Sequence, residues 1–156
     1  MRSGAAQALR EFAEKTGTPV ALTLLGIGGF PQSHPLCLGM MGMHGEAFVN
    51  TAIQHADLLL AFGMRFDDRV TGNIKTYALH AKKIHVEIDP SEVGKNVKVD
   101  VALVSDLRVA LEALTPANRV LLAETWFSIG GGFVLREGET AAAETGPPPP
   151  PPFPPP

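Results

Sequence analysis

The sequence predicts a single α/β domain built on a Rossmann-like, doubly wound parallel sheet. Short apolar segments without polar alternation recur along the chain, and such segments are typical of strands covered on both faces. Segments with apolar residues at helical spacing lie between them, which gives the alternation of strand and helix seen in βαβ units. A length of 156 residues allows one such domain rather than two.

The first helix is predicted at residues 3–16, with Ser3 as its N-cap and Gly17 as its stop. Residues 19–24 form the first predicted strand, and residues 25–45, rich in Gly, Pro and Met, are expected to be a long irregular connection. The other predicted elements are a helix at 46–55, strands at 57–63, 83–89 and 99–104, and a helix at 107–114 capped by Ser105-Asp106.

Residues 1–115 are expected to form the domain, and residues 116–156 an unrelated, largely disordered tail. Nine of the last ten residues are proline, and polyproline is extended and does not pack a core. The tail leaves an alternative function open, that of a non-catalytic interaction module whose polyproline binds SH3 or WW domains.

Composition and charge exclude several classes of function. The net charge is −3, with 13 Lys and Arg scattered among 16 Asp and Glu, so no basic stripe indicates nucleic-acid binding. The single cysteine, Cys37, excludes a disulfide framework and a Cys-based zinc site, and no motif predicts a metal site. Because the sequence has no run of 18 apolar residues and no signal peptide, we expect a cytoplasmic protein without a membrane partner.

The residues that follow the predicted strands are candidates for ligand binding, because doubly wound sheets bind ligands at the carboxyl ends of their strands. Glu87 or Asp89 is placed to accept the hydroxyls of a ribose, and Asp106 suits that role and a helix cap equally. Arg65 and Arg69 are placed to pair with phosphate or to stack on a planar ring. A generic NAD-binding enzyme is a further alternative, although no complete G-x-G-x-x-G follows a strand.

Four segments taken together resemble one family. They are GIGGFPQSHPL from Gly26, MGMHG at Met41 to Gly45, ADLLLAFGMRFDDRVTG at Ala56 to Gly72, and HVEIDPSEVGKN at His85 to Asn96. From about residue 9 to residue 114 the chain is similar to the central domain of the catalytic subunit of acetohydroxyacid synthase, also called acetolactate synthase. The RFDDRVTG string is highly specific for this family.

The resemblance implies a function and a set of cofactors. Members of this family are transferases that condense pyruvate with a second 2-keto acid to 2-acetolactate or 2-aceto-2-hydroxybutyrate, in the biosynthesis of branched-chain amino acids. Their cofactors are thiamine diphosphate, Mg²⁺ and a FAD that does no net redox chemistry, and the central domain holds the FAD. The implied partners are these cofactors, the keto acid, further copies in a homodimer or larger assembly, and a regulatory subunit.

The resemblance also implies site residues. The FAD positions of the family fall on Thr23, Leu24, Met41, Gly42, Met43, His44, Gly63, Met64, Arg65, Asp67, Arg69, Val70, Glu87, Ile88, Asp106 and Leu107. The channel for the second keto acid, where herbicides bind, falls on Met43, Asp68 and Arg69. No catalytic residue is assigned, because the nucleophile of the family is the thiamine ylid.

The chain departs from the family pattern at both ends. Ahead of this region the family has a domain with the glutamate that activates thiamine diphosphate, and then a first sheet strand that ends in consecutive glycines. Neither is found in this sequence, and the Gly-Asp-Gly motif of the family's third domain is also absent. We therefore expect a piece of the enzyme that lacks the first strand of its sheet and is inactive alone.

Overall fold

A computed structural model of the chain describes residues 4–117. The helices are α1 (Ala6–Thr16), α2 (Ala47–Gln54), α3 (Asp68–Thr71) and α4 (Leu107–Ala117). The strands are β1 (Val20–Leu22), β2 (Cys37–Met40), β3 (Leu58–Phe62), β4 (Lys82–Glu87) and β5 (Val101–Val104). The predicted N-cap Ser3, the polyproline and the rest of the predicted tail after residue 117 lie outside the described residues.

All strand pairs are parallel, as predicted, but the strands form two sheets where one was expected. One sheet has the order β1-β2 and the other the order β3-β4-β5. The prediction of an irregular connection over residues 25–45 is also wrong, because β2 lies inside it. Its sequence, Cys-Leu-Gly-Met, has no β-branched residue, and Gly39 has a φ of +100°, so pairing with β1 rather than local propensity makes it a strand.

Two layers of apolar side chains cover the sheets, which confirms the doubly wound class. The first layer, here called the α2 cluster, includes Met41, Val49, Ile53, Ala61, Phe66 and Tyr77. The second layer, here called the α1–α4 cluster, includes Leu9, Phe12, Leu22, Phe30 and Leu111. Leu59 of β3 packs against the first and Leu60 against the second, as expected of a strand buried on both faces.

The helix ends that the sequence predicts are found where their residues are described. Gly17 adopts the left-handed conformation, with a φ of +65°, and its N–H donates to the carbonyl of Ala13. Asp106 Oδ1 accepts hydrogen bonds from the N–H groups of Arg108 at 2.9 Å and Val109 at 3.4 Å. Asp106 is therefore the N-cap of α4. Among the helices of residues 4–117, none has the length and apolar character needed to cross a membrane.

Candidate functional site

The carboxyl ends of the strands form one edge, which we call the ligand edge. The loop after β2 meets the loop after β3 there, because the N–H of Met43 donates to the carbonyl of Arg69 at 2.8 Å. The predicted residues lie after β1 (Thr23, Leu24), β2 (Met41 to His44), β3 (Gly63 to Val70), at the end of β4 (Glu87, Ile88) and after β5 (Asp106, Leu107). The fold therefore places the predicted site residues at the ends of strands or, for Asp68 to Val70, in the short helix α3 that follows β3.

The MGMHG turn is held from two sides. Asn50 of α2 accepts a hydrogen bond from the N–H of Gly42 at 2.8 Å and donates one to its carbonyl at 3.0 Å. Gly42 has a φ of +99°, and a Cβ there would lie 2.7 Å from the carbonyl oxygen of Arg69. Asn50 is not among the residues predicted from the sequence. The signal for it was a polar residue directly after the buried Val49 of an amphipathic helix.

The RFDDR loop is anchored by its aromatic residue and presents its cations to solvent. Phe66 is buried, with a φ of +51°, and its ring packs on Tyr77 and His85 at centroid distances of 6.1 and 5.0 Å. Asp67 caps α3 by accepting from the N–H of Val70 at 3.2 Å. Arg65 lies 3.7 Å from Asp67 with its side chain 61% exposed, so this ion pair is weak.

The side chain of His85 in β4 fixes the backbone at the start of the RFDDR loop. Its side chain is fully buried, and Nε2 donates to the carbonyl of Met64 at 2.8 Å. Nδ1 has no hydrogen-bond partner within residues 4–117. No role was predicted for this histidine beyond its place in the segment that starts at His85, because the sequence does not show which loop a histidine within an apolar strand contacts.

The three candidate acids, Glu87, Asp89 and Asp106, differ in their burial and in the groups that they accept hydrogen bonds from. Asp89 Oδ1 accepts from the hydroxyl of Ser91 at 2.7 Å and from its N–H at 2.9 Å, and these hydrogen bonds, the side-chain one first, lower the pKa of Asp89. Asp106 caps α4. Glu87 is buried at the end of β4, and its Oε1 accepts from the N–H of Ile88 at 2.8 Å. The same oxygen of Glu87 also accepts from the N–H of Asp89 at 3.4 Å. All three acids are therefore held by local hydrogen bonds, and Glu87 differs from the other two in being buried.

Large apolar side chains are exposed along the ligand edge. The exposed fractions are 68% for Leu24, 89% for Leu25, 61% for Met43, 68% for Ile88 and 57% for Val104. Large apolar side chains are also exposed away from this edge, such as Phe48 at 58% and Leu79 at 65%, so exposure alone does not distinguish the ligand edge. Leu25 and Val104 were not predicted. His44 is also exposed, whereas Thr23 is half-buried and accepts from the N–H of Gly26 through its hydroxyl at 3.2 Å.

A small cleft lies at the ligand edge, and a larger one lies away from it. A cleft of about 170 Å³ is lined by Gly42, Met43 and Val70, all predicted, and by Asn50 and Tyr77. A larger cleft of about 560 Å³ lies between α1 and residues 27–32, and no predicted residue lines it. Only the larger one reaches the size of a typical small-molecule site, roughly 300–1,000 Å³. Within residues 4–117, no group of three or more His, Cys, Asp or Glu is arranged to hold a metal ion.

The fold and its ligand edge define an α/β domain of the doubly wound class. The family described as "Thiamine pyrophosphate enzyme, central domain" matches residues 1–114, and the chain belongs to this family.

Relatives in other organisms are acetolactate synthases. The chain is 52% identical over 112 residues to acetolactate synthase 1, chloroplastic, from Oryza sativa subsp. japonica, which covers 72% of this chain and 17% of that protein. It is 49% identical over 125 residues to the acetolactate synthase large subunit of Corynebacterium glutamicum, covering 80% and 20%. A structure described as that of "a putative thiamin diphosphate-dependent enzyme isolated from Mycobacterium smegmatis" matches with a TM-score of 0.58 and 32% identity over 74% of this chain and 22% of that one. The chain thus spans about a fifth of the length of these proteins.

Proposed function

We propose that this chain supplies the FAD-binding surface and one wall of the substrate channel of an acetolactate synthase. The reaction is the condensation of pyruvate with a second 2-keto acid to 2-acetolactate or 2-aceto-2-hydroxybutyrate. One observation carries the proposal. The exposed guanidinium of Arg65, the buried carboxylate of Glu87 and the exposed apolar groups of Met43 and Ile88 all belong to the ligand edge.

These residue types suit the chemistry of FAD. Its diphosphate is an anion that a guanidinium binds by charge-assisted hydrogen bonds, and Arg65 and Arg69 are both exposed at the edge. Its ribose hydroxyls suit a carboxylate acceptor such as Glu87. Its planar rings suit apolar contacts such as Met43 and Ile88. The resemblance to acetohydroxyacid synthase implies a FAD that does no net redox chemistry, so the role proposed for these residues is to bind it.

Arg69 has a second proposed role. The incoming keto acid is a carboxylate, and we propose that Arg69 attracts it while Met43 and Asp68 form the neighbouring channel wall. The N–H of Met43 donates to the carbonyl of Arg69, and this neighbouring position supports a shared role in the channel wall.

The remaining expectations stay proposals. We propose residues 1–115 as the domain, and no activity for this chain alone, because it spans 17% and 20% of two relatives whose names give the whole enzyme. Thiamine diphosphate, Mg²⁺, a homodimer and a regulatory subunit are proposed for the intact enzyme. A cytoplasmic location is also a proposal, and the rice relative is named as chloroplastic.

A FAD titration of the 156-residue chain tests the binding role. The flavin fluorescence should be quenched in a saturable manner, and Arg65→Ala should weaken binding by about tenfold, the value of one lost charge-assisted pair. Lys82→Ala is the matched control, because Lys82 lies at the amino end of β4 and 78% of its side chain is exposed. Equal affinity of both variants, or no binding by the unaltered chain, would contradict the proposal.

A further inference from the structure

The carboxamide of Asn50 binds both backbone groups of one glycine. Its Oδ1 accepts a hydrogen bond from the N–H of Gly42 at 2.8 Å, and its Nδ2 donates one to the carbonyl of the same residue at 3.0 Å. Two hydrogen bonds from one planar group fix both the position and the orientation of the Gly42 backbone. A side chain that can only donate or only accept would form one of the two.

Asn50 is itself held in place by the core. It belongs to α2, and Val49 and Ile53 of the same helix are buried in the α2 cluster, with exposed fractions of 0% and 4%. The backbone N–H of Asn50 donates to the carbonyl of Glu46 at 3.1 Å. A packed helix therefore presents the carboxamide to a loop that lies eight residues earlier in the sequence.

Gly42 transmits this restraint to the RFDDR loop. A Cβ on Gly42 would lie 2.7 Å from the carbonyl oxygen of Arg69, so the two backbones are in direct contact. The next residue, Met43, donates its N–H to the same carbonyl at 2.8 Å. The contacts therefore run from Asn50 in α2 through the MGMHG turn to Arg69 in α3.

The side chains proposed to face the ligand lie at the end of this series of contacts. Met43 is 61% exposed, and His44 and Arg69 are also exposed, whereas Asn50 is half-buried. Exposed side chains are restrained mainly by the backbone that carries them. A turn that is already in one geometry lowers the ordering cost of binding.

We propose that Asn50 is a positioning residue of the ligand edge, which acts on FAD binding through Gly42 and Met43. Asn50 orders the MGMHG turn against Arg69 before the cofactor arrives. This inference rests on the proposed function, because it concerns the same FAD-binding surface. Loss of the Asn50 carboxamide should therefore weaken FAD binding, although every side chain proposed to contact the cofactor is kept.

Gln54 offers a matched control on the same helix. It lies one turn after Asn50, and its Oε1 accepts from the N–H of Ala78 at 2.8 Å. Gln54 thus uses the same carboxamide chemistry to hold a different loop, to which no predicted site residue belongs. Removing either carboxamide deprives a backbone N–H of its acceptor, so both changes should lower stability. Only the loss of Asn50 should release the MGMHG turn.

The test measures FAD affinity and amide hydrogen exchange for the full chain and for Asn50→Ala, Asn50→Asp and Gln54→Ala. Asn50→Asp keeps the acceptor for the Gly42 N–H but loses the donor to its carbonyl. We expect both Asn50 variants to weaken FAD binding by about tenfold, a typical loss for residues that orient a binding group. Exchange at the Met43 amide should become faster in the FAD-free chain. Gln54→Ala should leave both quantities close to those of the unaltered chain.

Far-UV circular dichroism identifies any variant that fails to fold, and Asn50→Asp, which alters the fewest atoms, replaces Asn50→Ala in that case. Equal FAD affinities of Asn50→Asp and Gln54→Ala would overturn the inference and leave the proposed function intact. Unchanged exchange at Met43 would also overturn it, since Asn50 would then not hold the turn. If the unaltered chain does not bind FAD, the proposed function is wrong, and the role of Asn50 in binding fails with it.

Discussion

Gly42 joins two loops that a side chain would hold apart. Its positive φ and the 2.7 Å between a built Cβ and the Arg69 carbonyl oxygen leave no room for alanine. Both residues belong to the ligand edge, so the contact positions Met43 beside Arg69. The MGMHG turn was identified from the sequence by its resemblance to the family. The close approach of the Gly42 and Arg69 backbones was not, because contacts between residues far apart in sequence do not follow from residue type alone.

Gly42→Ala should lower the free energy of unfolding by about 1–3 kcal/mol, because it combines backbone strain with a backbone clash. Gly94→Ala is the matched control. Gly94 also has a positive φ, +69°, but nothing lies within 4 Å of the added Cβ. Urea denaturation of both variants should show the larger loss for Gly42→Ala, and equal losses would mean that the Arg69 contact is not rigid.

Tyr77 carries an energetic cost in the α2 cluster. Its side chain is 4% exposed, and its hydroxyl has no hydrogen-bond partner within residues 4–117. Tyr77→Phe should therefore leave the free energy of unfolding unchanged or raise it by about 1 kcal/mol. A loss of more than that in urea denaturation would show that the hydroxyl has a partner, such as a buried water.

The same hydroxyl gives a pH dependence. Burial raises the pKa of Tyr77 above its ordinary value of 10.0, so the native state favours the neutral phenol. The stability that depends on a neutral Tyr77 is therefore fully present below pH 10. It is lost as the pH rises above 10 and through the native pKa. Between pH 9 and about 11, the melting temperature should fall more steeply with pH for the unaltered chain than for Tyr77→Phe. Parallel curves would contradict this assignment.

At the scale of elements, strong local patterns predicted well and tertiary pairing did not. The bounds of β3 and α4 were predicted to within a few residues. The reason is that a continuous apolar run indicates a strand buried on both faces, and apolar residues at helical spacing indicate an amphipathic helix. β2 was missed, since its four residues are a strand only through their pairing with β1. The division into two sheets was also not predicted, because the sequence of a strand does not determine which other strand it pairs with.

The cap of α4 gives a prediction at this scale. Asp106→Ala removes the acceptor of the Arg108 and Val109 N–H groups and should cost about 1 kcal/mol of stability. Asp106→Asn keeps an oxygen acceptor and should stay near the unaltered chain in thermal melting. If Asp106→Asn proved as damaging as Asp106→Ala, the negative charge rather than the cap would be the important property.

At the scale of the whole molecule, the sheets have one ligand edge and one opposite edge. The predicted residues and the exposed apolar groups Leu24, Met43 and Ile88 lie at the ligand edge. The family resemblance predicted which residues form the site. The alternation of strand and helix predicted that they lie at the carboxyl ends of the strands. Their mutual arrangement depended on the Met43–Arg69 backbone contact, which no pattern in the sequence predicts.

FAD binding at the ligand edge can be located by the chemical shifts of the backbone amides of the chain during a FAD titration. We expect saturable shifts at residues 23–24, 41–44, 63–70, 87–88 and 106–107, with no change at Lys82, Lys83 and Asp100 at the opposite edge. Shifts confined to the opposite edge, or none at saturating FAD, would show that the ligand edge does not bind this cofactor.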